Sequence, residues 1–300
     1  MICAERGRRP CPGMGSKVPA LPGVRWHDRT MLPRRARPSS AARASRTAIL
    51  LDVDGTLCPV DVTAEMSGVL GREGWREELM ALRATGAGSR RVNERLLPYL
   101  PQNLATLLEF ALAHELDPTA RALTKAAGSA GWIVEIASDG FGFYIPRMLA
   151  RTGIQAVVRC AQLAPDGPRL RLVAPWASRG GDRCPDCTTC KLDAVADFHA
   201  AGRRVILVGD GRSDRIAAED ADVVYATGLL AEHCAKVGIS FRPWHRLADV
   251  LADLRRRGDL PPGVTAAGEV AAPAGTTEQS PPRRQRGADR RLHRRSWSES

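Results

Sequence analysis

Between residues 47 and 257 the hydrophobic positions fall into short apolar runs separated by amphipathic stretches, whereas 1–46 and 258–300 show no periodicity. Runs of strand length occupy 48–51, 132–137, 155–158, 204–208 and 222–225. Their continuous apolar character is that of strands covered on both faces. After the first run, residues 58–117 carry helical patterning near 62–70, 75–82, 90–97 and 103–114, punctuated by Gly86, Gly88, Pro98, Pro101 and Pro118. Such a block is too long for a loop and has helices of its own. Beyond it, helices to about 127 and over 141–151, 192–201, 214–220, 229–237 and 246–257 alternate with the later strands. An irregular stretch covers 160–190, with a hairpin expected at Pro165-Asp166-Gly167. Alternation of this kind predicts an α/β fold with a doubly wound parallel sheet. The expected organisation is a core of 47–58 and 118–257, a helical cap inserted at 59–117, a disordered basic arm at 1–46 and a disordered Pro/Arg-rich tail at 258–300.

The formal charge of +11 suggests a nucleic-acid binder until it is located. Eleven Lys/Arg against two acids lie in 1–46 and seven Arg against five acids in 258–300, so 47–257 holds equal numbers of bases and acids. No apolar run approaches the ~18 residues of a membrane span, and the N-terminal arm lacks the apolar centre of a secretory signal. Eight cysteines are scattered, with a cluster only at 184, 187 and 190. Reduced thiols in the cytoplasm are the expectation.

Candidate chemistry begins at the end of the first strand, in Asp52-Val53-Asp54-Gly55-Thr56. Asp52 and Asp54 share a face of an extended strand, and carboxylates this close require a cation or a shared proton. One could attack phosphorus while the other gives a proton to the leaving oxygen; a loop with solvated carboxylates is the plainer alternative. Ser138-Asp139-Gly140 follows the strand at 132–137, and is either a phosphate cradle or an N-cap for a helix beginning at 141. Lys191 falls at a helix start, where the macrodipole disfavours a cation, so a bound phosphate or an aspartate is expected beside it unless it is an exposed surface lysine. Gly209-Asp210-Gly211-Arg212-Ser213-Asp214 follows the strand at 204–208, and its glycines let the backbone turn tightly with the Asp210 carboxylate in the strand-end crevice. Oxygen ligands from Asp52, the Asp54 backbone carbonyl and Asp210 suit Mg²⁺.

Taken in order, Asp-x-Asp-Gly-Thr, Ser138, Lys191 and Gly-Asp-Gly-x-x-Asp resemble the four motifs of the haloacid dehalogenase (HAD) superfamily over residues 47–257. The insertion between the first two motifs is similar to that of the phosphoserine-phosphatase-like group. Gly88-Ser89-Arg90-Arg91, Leu96-Leu97-Pro98, Ser138-Asp139-Gly140-Phe141 and 210–214 resemble the branch that contains 2-hydroxy-3-keto-5-methylthiopentenyl-1-phosphate phosphatase and the phosphocholine/pyridoxal-phosphate phosphatases. Phosphoserine phosphatases usually have Ser-Gly-Gly where this chain has Ser-Asp-Gly, which lowers phosphoserine as a candidate.

The resemblance implies a HAD-like Rossmannoid core and a phosphomonoester hydrolase acting through an aspartyl-phosphate. It implies Asp52 as nucleophile, Asp54 as general acid and base, Ser138, Lys191 and the Asp139 and Gly140 amides as phosphate binders, Asp210 as metal ligand and Asp214 beside it. The cofactor implied is Mg²⁺, and the partner a small phosphorylated metabolite, with no membrane and, for the core, no nucleic acid. Two alternatives stay open: phosphotransfer to an acceptor alcohol, and an anionic-polymer binder with a vestigial phosphatase core that uses its basic ends. Glu65, Arg72, Arg76, Arg90 and Arg91 are the polar cap residues expected to select substrate. Cys184, Cys187 and Cys190 have metal-like spacing and could hold a structural Zn²⁺, with Cys160, His199 or Cys58 as fourth donor.

Overall fold

In the computed structural model, seven strands form one sheet in the order β4-β3-β2-β1-β5-β6-β7. The structure describes residues 46–179, 181–184 and 186–261, so the expected arm and nearly all of the expected tail lie outside the described residues. The strands are β1 (Thr47–Leu51), β2 (Ile133–Phe141), β3 (Val157–Asp166), β4 (Arg169–Val173), β5 (Arg204–Gly209), β6 (Val223–Ala226) and β7 (Arg242–Pro243). Every neighbouring pair is parallel except β3 and β4, which form an antiparallel hairpin. That hairpin turns at Gly167, whose φ of +57° suits a residue without Cβ.

The helices are α1 (Val62–Leu70), α2 (Trp75–Ala84), α3 (Ser89–Leu96), α4 (Leu104–Leu112), α5 (Ala120–Ser129), α6 (Ile145–Arg151), α7 (Lys191–Ala200), α8 (Arg215–Asp220), α9 (Gly228–Val237) and α10 (Leu247–Arg256). Side chains of β1 alternate between two apolar clusters, as the pleat requires. Ile49 and Leu51 enter a core built with α1, α4, α5, α6 and α10. Ala48 and Leu50 enter a second core with α7, α8 and α9. Both faces of the central strand are therefore covered, and its five residues are all buried.

Four of the α-helices lie between β1 and α5. Of these, α1 and α4 add Val62, Met66, Leu107 and Ala111 to the main core, whereas α2 and α3 bury only Leu82 and Leu96 between them. The outer pair is held by polar contacts. Gly88 N donates to Asp186 Oδ2 at 3.1 Å, Arg90 pairs with Asp186, and Asn93 Nδ2 donates to the Asp139 carbonyl and to Thr188 Oγ1, both at 3.2 Å.

Three sequence expectations are corrected. Residues 138–141 extend β2 and do not open a helix; α6 starts at Ile145, so Ser138 and Asp139 are not its N-cap. The expected strand at 155–158 is a ten-residue strand running to Asp166, because the hairpin with β4 supplies a partner for residues that alone read as irregular. The two-residue β7 was not expected, being too short to leave a pattern. Packing also continues past Arg257: Leu260 is in the main core and Asp259 pairs with Arg204.

Candidate active site

Asp52, Asp210 and Lys191 meet at the carboxyl ends of β1 and β5, where open α/β sheets place their crevices. The register pairs Leu51 with Val208 on one side and with Ile136 on the other, so the Asp pair, the Gly-Asp-Gly turn and Ser138 all leave the sheet at the same edge. Asp52 N donates to the Val208 carbonyl at 3.2 Å, prolonging the ladder to the functional residue. Its carboxylate is fixed at both oxygens: Oδ1 accepts from Val53 N at 2.7 Å and Oδ2 from Lys191 Nζ at 2.5 Å.

Lys191 is the first residue of α7, with Cys190 as its N-cap. The compensation expected for a cation there comes from aspartates. Nζ also donates to Asp214 Oδ1 at 2.6 Å and to Ser213 Oγ at 2.9 Å, and the side chain is 1% exposed. Burial alone would lower the pKa of this ammonium, but the charges of Asp214 and Asp52 outweigh it and raise the value. The reading of Lys191 as an exposed surface lysine is therefore excluded.

Asp214 is fully buried, and its Oδ2 accepts from the amides of Gly211 at 3.0 Å and Asp210 at 3.3 Å. Asp210 Oδ1 accepts from Thr56 Oγ1 at 2.9 Å. Gly55 has φ +77°, and a Cβ there would lie 2.2 Å from Asp210 Oδ2. This glycine lets the two motif loops touch.

Carboxylate oxygens of Asp52, Asp210 and Asp214 come within 4.8 Å of one another. One ammonium faces three carboxylates, and the surplus of negative charge shows in the protonation of Asp52 and Asp210. Burial, reinforced by Asp214 and Asp210, raises the Asp52 carboxyl well above its ordinary value, and burial with Asp214 lifts Asp210 to about 6. Hard oxygen donors with uncompensated charge are the set a divalent cation such as Mg²⁺ takes. Asp52 and Asp210 from the expected ligand set are brought together; Asp214 is the third group beside them.

The Asp54 side chain turns to a separate set of partners. Oδ2 accepts from Tyr144 Oη at 2.9 Å and Thr63 Oγ1 at 3.1 Å, and Oδ1 from Val62 N at 3.3 Å. Although one edge reaches the surface, protein surrounds this carboxyl, and burial raises it to about 7, with Asp61 adding to the effect. Two neighbouring aspartates thus have different environments, the arrangement that divides nucleophilic from acid–base work.

Ser138 is buried, and its Oγ accepts from Gly140 N at 3.1 Å. Asp139 Oδ1 accepts from Thr189 N at 2.9 Å, tying the end of β2 to the segment that delivers Lys191. At Gly140 a Cβ would meet Tyr144 Oη at 2.2 Å and Asp54 Oδ2 at 2.9 Å. The glycine of this motif is thus a close-approach residue for Asp54.

Of the expected cap residues, Glu65 pairs with His114, Arg72 donates to the Pro98 carbonyl, Arg76 lies over the Trp75 ring at 4.9 Å, and Arg90 pairs with Asp186. Arg91 is exposed. Thr63, Tyr144 and Asn93 were missed by sequence reasoning. Thr63 is one of two hydroxyls on a largely apolar helix, and Tyr144 reads as an ordinary core aromatic.

Cys184, Cys187 and Cys190 come together, with sulfur atoms within 4.8 Å of one another. The expected fourth donors do not join them. Cys58 donates to the Glu115 carbonyl, His199 pairs with Asp222, and Cys160 accepts from Gln162.

No family model matches the chain. It is 25% identical over 141 residues to a 2-hydroxy-3-keto-5-methylthiopentenyl-1-phosphate phosphatase of Exiguobacterium sibiricum, covering 47% of this chain and 64% of that protein. It is also 25% identical over 121 residues to the enzyme of that name from Lysinibacillus sphaericus, covering 39% and 52%. The matches thus span less than two thirds of these relatives' own length. Among solved structures, a phospho-aspartyl intermediate analogue of phosphoserine phosphatase superposes with a TM-score of 0.53 at 16% identity, covering 70% of this chain and 99% of that one. The names of these relatives agree with the resemblance read from the motifs, and the fold is shared with phosphoserine phosphatase.

Proposed function

We propose, from a HAD fold that presents Asp52, Asp54, Lys191 and Asp210 at one strand end, that the chain is a Mg²⁺-dependent phosphomonoester hydrolase of a small metabolite. The observation that carries this reading is the division between the two aspartates. Asp52 is held against Lys191 in a cluster of surplus negative charge, and Asp54 sits apart with a carboxyl near pH 7. Asp52, the Asp54 carbonyl and Asp210 would hold the cation. Bound Mg²⁺ would offset the repulsion between Asp52 and the phosphoryl oxygens.

In this reading the Asp52 carboxylate attacks phosphorus, the phosphorus–oxygen bond of the ester breaks, and Asp54 gives its proton to the departing alcohol. Asp54, now ionised, takes a proton from the water that hydrolyses the aspartyl-phosphate. Lys191 and Ser138 bind and orient the phosphoryl oxygens. The insertion at 59–117 acts as a cap whose outer helices α2 and α3 exclude bulk water.

Release of inorganic phosphate by the full chain from a panel of small phosphomonoesters, with Mg²⁺ and with EDTA, tests this reading. The panel should include the ester named for its relatives, phosphoserine, phosphocholine and pyridoxal phosphate. EDTA-sensitive turnover of one or two compounds is expected. No turnover of any ester would overturn the proposal and favour the anionic-polymer binder.

Tyr144 gives a sharper test of the assignment of Asp54. The phenol hydrogen bond favours the carboxylate and so lowers the Asp54 pKa, against the larger effect of burial. Tyr144→Phe removes that bond and raises the pKa. The acid form then persists to higher pH, so the alkaline limb of the kcat profile moves upward in the variant. An unmoved limb would remove Asp54 from the acid's role.

A further inference from the structure

The segment joining β4 to α7 has no helix or strand among its described residues, yet it delivers Lys191 to the nucleophile. Connections of this length without secondary structure are uncommon unless something orders them. Its contacts go to the N-terminus of α3, through Asp186 and through Thr188 N to Ser89 Oγ at 2.9 Å, and to β2, through Thr189 N to Asp139 Oδ1 at 2.9 Å, while Cys190 N donates to the Trp176 carbonyl within the segment at 2.7 Å. The three cysteines are interleaved with these contacts along the segment.

The geometry points to a zinc site formed by Cys184, Cys187 and Cys190, which ties the Lys191 segment to the start of α7 and is distinct from the Mg²⁺ site. Their sulfur atoms, within 4.8 Å of one another, need close by only about 1 Å to match the separation set by tetrahedral Zn–S bonds of about 2.3 Å. The sequence spaces the three as two successive Cys-x-x-Cys pairs, the interval common among zinc ligands. Cys190 is the N-cap of α7, and its sulfur accepts from Asp193 N at 3.3 Å, an arrangement that favours a thiolate ligand. The three thiolates select a soft or borderline ion over Mg²⁺.

The fourth position goes to solvent. Cys184 and Cys187 are only half-buried, and no His, Asp or Glu of the described residues joins the cluster. Binding releases the protons of the thiols that are not yet ionised to water, and no electron moves. The site does not depend on the proposed hydrolase activity, since its occupancy is read without substrate.

The test uses full-length chain purified with reductant and without chelator, dialysed against micromolar free Zn²⁺, and analysed for metal. About one tightly held zinc per chain is expected, with Cys187→Ser and Cys184→Ser each falling at least about tenfold in retained zinc. Because a variant could fail to fold, the unaltered chain is also loaded with Co²⁺. A thiolate-to-cobalt charge-transfer band that Zn²⁺ abolishes and excess Mg²⁺ leaves in place supports the site. No retained zinc together with no such band overturns it, as does an oxidised pair among the three sulfurs that persists under reductant.

Discussion

Asp52→Asn is expected to lower phosphate release by about 10⁴-fold or more while the protein keeps its fold. The amide is nearly isosteric, and its oxygen can still accept from Val53 N, so the turn after β1 remains. The change also removes one of the three carboxylates that crowd Lys191, which relieves repulsion with Asp210 and Asp214. Lys191 keeps Asp214 as a charged partner, so the fold is expected to persist. An amide oxygen is too poor a nucleophile to displace an alkoxide from phosphorus, and that deficit is the whole expected effect. Rates measured on protein with an unchanged far-ultraviolet circular dichroism spectrum decide the matter. Turnover within tenfold of the unaltered chain would rule out Asp52 as nucleophile.

The largest effect on stability is expected at Lys191. Lys191→Met removes a buried ammonium that pairs with two carboxylates, Asp52 and Asp214, themselves 7% and 0% exposed. Breaking a buried pair from one side costs about 3–5 kcal/mol, because the remaining charge is left without a partner. The variant should respond to pH in a definite direction. Burial holds the Asp52 carboxyl well above its ordinary value, so its protonated form supports folding at acidic pH. That support is lost as pH rises through the folded value. The deficit relative to the unaltered chain should therefore be smallest in acid and grow toward neutrality.

A divalent cation should substitute in part for the missing charge. Added Mg²⁺ should raise the stability of Lys191→Met more than that of the unaltered chain, since a ligand bound only by the folded state stabilises it. Denaturant curves at several pH values, with Mg²⁺ and with EDTA, give both quantities. A deficit independent of pH would mean that Lys191 contributes by packing rather than by charge.

What the sequence disclosed was chemistry tied to regular patterns. Asp52, Asp210 and Lys191 are each preceded by an apolar run or a helix signal, and once strands and helices alternate, strand ends become places where such residues meet. What it concealed was set by contacts with distant segments. Ser138-Asp139-Gly140 resembles a helix start because Ser and Asp are strong caps, yet it prolongs β2, whose pairing with β3 resumes at Phe141 beyond a register shift. Thr63 and Tyr144 converge on Asp54 from α1 and from the residue before α6, and no local periodicity records that meeting. The cysteine cluster shows the reverse. Its spacing was evident, but the expected fourth donors proved to be engaged elsewhere.

The position of β1 bears on how the chain can be made. It is the central strand and the first of the described strands to emerge, but its partners arrive late. Lys191 is 139 residues from Asp52 along the chain, and Asp210 is 154 from Thr56. Long loops must close before these contacts yield any free energy, which makes folding slow and leaves hydrophobic strands exposed in the interim. During synthesis the strand that leads to Asp52 must wait, with one edge unpaired, until β5 has left the ribosome. The candidate site consequently completes as a late, cooperative event, and a nascent chain ending before residue 204 has no β5 on which to build it.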